Sequence, residues 1–204
     1  MKLTLAAKLG WFIGLIEIVS VSALLFLLRQ PGLPARFGVI LAFLLPITFG
    51  AHVFEEFTFP GKGSDWFRAY HAEYAQAFTD SYFFKINAIP LALSVLVTLG
   101  TFDFAGRFGF WGIRAWLAFL CMQAFNVGFH IRGAIKLKSK QPSPGMPSAI
   151  LLYIPLTLIS FYYLLKTGTV DIFSAAICIA IGSLLQPALD LIKKQGTKEK
   201  QLVP

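Results

Sequence analysis

Apolar residues run along this chain in long unbroken stretches, not in alternation with polar ones. Six stretches approach the roughly 20 residues needed to cross a bilayer, at about 4–28, 36–56, 82–102, 108–134, 148–166 and 170–191. Only helices and closed barrels satisfy the backbone in hydrocarbon, and the lack of a period-two pattern selects helices. Turn residues punctuate the breaks: Gln30-Pro31-Gly32-Leu33-Pro34, Pro60-Gly61-Lys62-Gly63, Gly106 to Gly109, Pro142 to Pro147 and Thr167-Gly168-Thr169. The predicted fold is all-α: a polytopic membrane helix bundle in one domain over 1–192, followed by a basic tail over 193–204.

The segment between the second and third stretches has a different pattern. Trp66, Phe67, Tyr70, Tyr74, Ala77 and Phe78 recur at helical spacing, with Asp65, Arg68, Glu73, Gln76 and Asp80 on the other side. This predicts an amphipathic helix over 64–81 lying in the membrane interface, or at the least an aromatic anchor belt. The first stretch has Lys2 and Lys8 ahead of it and Val21-Ser22-Ala23 inside it, as a cleaved signal would. It is longer than the 7–15 residues of a signal core and contains Glu17, so it is expected to be a span.

Composition agrees with the pattern. At 56% apolar, 14% charged and a mean hydropathy of +0.69, the chain lies far from a soluble domain, which carries about a quarter charged residues. With 21 Phe and 4 Trp it cannot be a solvated disordered chain. Two Cys, both in apolar runs, make no disulfide framework. With six spans, 13 of the 18 Lys and Arg fall on the side of the termini, which predicts that both termini are cytoplasmic. A basic rim facing anionic lipid then accounts for the net charge of +8 without nucleic acid. The compact size and this charge bias suit a bacterial inner membrane.

Ionisable residues inside spans are functional candidates, because burying them in lipid is costly. They cluster here. At 100° per residue, Glu55 stands about 60° to one side of His52 and Glu56 about 40° to the other. One imidazole and two adjacent carboxylates therefore share a face near the end of the second stretch. Two such carboxylates must hold a proton or a cation between them, which is the composition of a metal site or of an acid/base pair. In the fourth stretch Gln123, Asn126 and His130 follow at spacings of three and four, a polar stripe that must face the bundle. Lys85 and Asn87 open the third stretch on the same side, and His71 and Glu73 lie at that depth on the interfacial segment. A polar chamber open to the cytoplasm is expected. Glu17 could close its floor, while Asp190 beside Lys193 and Lys194 reads as a surface ion pair.

These motifs resemble those of the HXXEE-motif family of small integral membrane proteins. His52-Val53-Phe54-Glu55-Glu56, then Phe57 and Phe59-Pro60-Gly61, is similar to that family's first motif. Asn126 with His130 is similar to its Asn-x-x-x-His element, Pro144-Gly145 to its later turn, and Asn87 to an Asn opening the third span. The resemblance covers roughly 45–165; one departure is Pro142, where the family would carry an aromatic two residues before the turn. It implies a metal-dependent membrane enzyme, in a family whose activity is unassigned.

Three functions suit these residues. The first is an intramembrane hydrolase in which His52, Glu55 or Glu56, and His130 bind zinc or iron, with His71 a further candidate ligand. The other Glu would be the general base, and Asn126 and Asn87 would orient ligands or stabilise charge. The second is a metal-free isomerase or cyclase of an isoprenoid or sterol-like substrate, with a protonated Glu as the acid and aromatic faces around a carbocation. The third is a carrier or binding protein for a lipid or small cation. In each the partners are the lipid bilayer and an apolar or lipid-like small molecule.

Overall fold

The computed structural model describes residues 4–29, 36–58, 62–102, 107–138 and 142–185. Every regular element among them is helical, apart from one isolated bridge between Phe102 and Phe108. In chain order they are α1 (Leu5–Leu28), α2 (Arg36–Thr58), α3 (Gly63–Tyr70), a 3₁₀ turn (Ala72–Ala77), α4 (Asp80–Leu99), α5 (Phe110–Lys136), α6 (Met146–Lys166) and α7 (Ile172–Leu185).

Four of these helices, α1, α2, α4 and α6, are long and apolar enough to cross a membrane. The protein is an integral membrane protein. Its outer surface supports this: Trp11, Trp111, Leu151 and Phe173 are each at least 70% exposed, as lipid-facing side chains would be. The expected six spans are not all of one kind. α5 is the longest helix at 27 residues, but Gln123, Asn126, His130 and its basic residues make it less apolar than the four. α7 is 14 residues within the described part. The remainder of the expected sixth stretch, Asp190 and the basic tail lie outside the described residues.

α2 is the centre of the bundle, packed by α1, α4, α5 and α6, and Pro46 lies inside it. Proline has no N–H, so the carbonyl of Ala42 loses its partner four residues on. In lipid that loss must be made good. Trp116 Nε1 on α5 donates to Ala42 O at 3.1 Å, and Thr98 Oγ1 on α4 donates to it at 3.2 Å. The proline thus creates an acceptor that ties three helices together, at the middle of an apolar cluster containing Leu41, Leu45 and Leu117.

The interfacial segment is not one helix over 64–81. α3 ends at Tyr70, His71 leaves helical geometry at φ −110° and ψ 47°, and the chain resumes as the 3₁₀ turn. Two side chains explain the break. Lys136 Nζ, from α5, caps the Tyr70 carbonyl at 2.7 Å. Arg68 reaches ahead to the Phe78 carbonyl with Nε and Nη2, at 3.1 and 2.9 Å. Amphipathic spacing is kept, but these bonds replace helical ones. The apolar side of α3, with Phe67 and Tyr70 buried, packs inward against the end of α2 and against α5.

Candidate functional site

Two helix irregularities shape the site. The last turn of α2, Phe54–Thr58, is a π turn, and so is Ala149–Tyr153 near the start of α6. A π turn inserts a residue into the helical register, and such turns occur often at functional sites. In α2 it separates the two acids. Glu56 Oε2 lies 3.5 Å from His52 Nε2, while Glu55 Oε2 accepts the backbone N–H of Ser148 at 2.9 Å. The expected three-residue face of His52, Glu55 and Glu56 is thereby split.

α5 completes the cluster from the other side. Its stripe sets His130 beside His52, with ring centroids 5.1 Å apart and planes at 82°. Asn126 Nδ2 lies 3.2 Å from His52 Nε2 and 3.3 Å from His130 Nε2. Ligand atoms of His52, Glu56 and His130 all lie within 4.8 Å of one another, and all three residues are buried. His130 and His52 thus stand side by side. His71 is not part of this cluster; its ring packs against Phe67, Tyr70 and Phe129. Asn87 lines the adjoining cavity with its Nδ2 donating to the Phe83 carbonyl at 2.8 Å. Glu17 stands apart, its carboxyl against Gly50 of α2.

The turn before α6 and the first turn of α6 supply the parts that residue patterns did not reveal. His52 Nδ1 is 3.1 Å from Ser148 Oγ, and His130 Nδ1 is 3.0 Å from Ser143 Oγ. Ser148 Oγ donates to the Gly145 carbonyl at 3.0 Å, so it offers His52 a lone pair. Ser143 Oγ is likewise directed at the His130 carbonyl, at 3.4 Å. A tautomer protonated at each Nδ1 fits these hydroxyls and turns each Nε2 lone pair, within reach of the Asn126 amide, toward the shared space.

Gly145 has φ +81°, and a Cβ there would sit 2.7 Å from His52 Cε1. Glycine is needed for both the backbone conformation and the close approach. It also leaves α6 without a side-chain cap, so Glu55 takes that role through Ser148. Trp66 of α3 closes the other side, stacked on His130 at 5.8 Å. Ser143 lies in the Pro142 to Pro147 turn and Ser148 directly follows it, yet only folding shows which histidine each one meets.

Residues 43–160 match the family model described as a protein of unknown function with HXXEE motif. The chain belongs to the HXXEE-motif family. The match begins in α2 and ends in α6. All the site residues of this HXXEE protein, from His52 to Tyr153, lie inside it. No curated protein and no solved structure matches the chain.

Proposed function

We propose that this HXXEE protein is a metal-dependent enzyme of the membrane interior, hydrolase-like, acting on a lipid or another apolar small molecule. The observation that carries the reading is the convergence of two Nε2 lone pairs and one carboxylate, from α2 and α5, in a buried space. Two imidazoles plus a carboxylate suit zinc or iron and leave coordination positions open. Metal–ligand bonds of about 2.1 Å put neighbouring donors roughly 3.3 Å apart. His52 Nε2 and Glu56 Oε2, at 3.5 Å, already stand at such a spacing, and a His130 ring nitrogen lies within 4.8 Å of both residues' ligand atoms. Serine hydroxyls on both Nδ1 atoms are the outer partners that metal-binding histidines usually have.

His52, Glu56 and His130 would hold the cation, which would supply Lewis-acid polarisation of a carbonyl. The chain's own groups do the rest. Asn126 is the neutral N–H donor of the cluster, suited to developing negative charge. Glu55, bonded to Ser148, holds the start of α6 beside the turn that carries Ser143. Phe49, Phe57 and Phe129 line the adjoining cavity and suit an apolar substrate. We further propose cytoplasmic termini and a bacterial inner membrane, supported by the bias of Lys and Arg.

The test is the metal content of detergent-purified protein by elemental mass spectrometry, beside His52→Ala and His130→Ala. About one equivalent of a transition metal, lost in both variants, is expected. Background levels in wild type handled without chelator would overturn the reading.

A further inference from the structure

A cavity of about 90 Å³ adjoins the cluster and is lined by His52, Glu56, Asn126 and His130. Three more polar side chains line it: Asn87, which donates to the Phe83 carbonyl, and two that have no hydrogen-bond partner. Gln123 is 3% exposed with both Nε2 and Oε1 unpaired; Tyr153 is fully buried with its hydroxyl unpaired. Other buried hydroxyls lack partners too, but these two share the space with the metal-ligating set. Buried polar groups are nearly always bonded, so unpaired ones around a cavity call for a polar partner inside it, water or a ligand group.

The chemistry of that ligand can be read from the donors and acceptors. Gln123 offers donors and an acceptor, and the Tyr153 hydroxyl offers one of each. Among the described residues no Lys or Arg lines the cavity, and Glu56 is close by, so in the metal-free protein a phosphate or carboxylate would meet no countercharge. At about 90 Å³ the cavity takes a small headgroup. The remaining walls, including Phe49, Phe57, Ile86, Met122 and Phe129, are apolar and suit a hydrocarbon chain. An ester can only accept, which would leave Gln123 Oε1 unpaired. An amide satisfies both sides.

We propose that Gln123 and Tyr153 form a headgroup subsite, beside the His52–Glu56–His130 cluster, for an uncharged amide on an apolar chain. This rests on the enzyme reading above for the reaction, but binding at the subsite needs no metal. A site built to bond an N–H rejects the analogue that lacks it, because its own acceptor is left unpaired.

The test titrates decanamide and methyl decanoate into the full-length protein in detergent, chelator-stripped and metal-reloaded, following intrinsic tryptophan fluorescence. The amide is expected to bind at least about tenfold tighter in both forms, the size of one good hydrogen bond. In Gln123→Leu the preference falls to within about twofold, with metal content retained. If that variant fails to fold, Tyr153→Phe, a smaller change, narrows the preference severalfold. Equal affinity for amide and ester in wild type, or a preference that survives Gln123→Leu, overturns the proposal. Amide-selective binding without turnover in the metal-loaded protein supports the subsite while counting against the hydrolase reading.

Discussion

Glu55 Oε2 accepts the backbone N–H of Ser148 at 2.9 Å, across 93 residues of sequence. Around it the start of α6 is fully accounted for. Met146 N–H donates to the Ser143 carbonyl at 3.0 Å, Pro147 has no N–H, and Ala149 N–H donates to the Gly145 carbonyl at 2.9 Å. Glu55 satisfies the remaining donor and complements the helix dipole. Its neighbour Glu56 faces His52 instead.

The two acids should therefore separate in mutagenesis. Glu55→Ala is expected to lower stability by about 1–2 kcal/mol, the cost of a lost cap to a charged group, while retaining bound metal. Glu56→Ala should lose metal with a smaller effect on the metal-free protein. Thermal unfolding in detergent, paired with elemental analysis, reads both. Equal metal loss in the two variants would contradict the split.

Ser143→Ala and Ser148→Ala each remove the group that fixes one histidine tautomer. Each should weaken metal binding about 10- to 100-fold, the usual scale for such outer partners. Competition against a fluorescent chelator would measure it. Affinities at the wild-type value would show that the serines only shape the turn.

Two glycines with positive φ provide a matched comparison. Gly168, at φ +67°, has open space where a Cβ would stand, whereas Gly145 faces His52. Gly168→Ala should cost about 1 kcal/mol from backbone strain alone. Gly145→Ala adds the clash and displaces the imidazole, so it should also lose metal. Unfolding midpoints and metal content of the two variants, compared side by side, decide this.

The Ala42 carbonyl allows a cycle. Trp116→Phe removes one of its two donors and should cost about 1 kcal/mol beyond the loss of packing. In a Pro46→Ala background the helix regains its own donor, so the same change should cost less. An additive cycle would mean that the indole bond does not depend on the proline.

Much of this protein is determined by local chemistry and so is legible in the chain. Unbroken apolar runs force helices in lipid, because no other local structure satisfies the backbone there. The spacing of Gln123, Asn126 and His130 sets one stripe on α5, and His52 with Glu56 follows the same helical rule. The interfacial segment was legible as amphipathic, but not its break at His71, which depends on Lys136 arriving from α5. Regular periodicity also placed Glu55 and Glu56 together. A π turn, whose widened register no residue pattern announced, sends them to different partners. Which histidine Ser143 or Ser148 holds, why Gly145 must be glycine, and that Gln123 and Tyr153 share a cavity are set by the packing of α2, α5 and α6. A helix-forming pattern specifies which side chains share a face; only tertiary packing, through distances of a few ångströms between segments remote in the chain, specifies what that face meets.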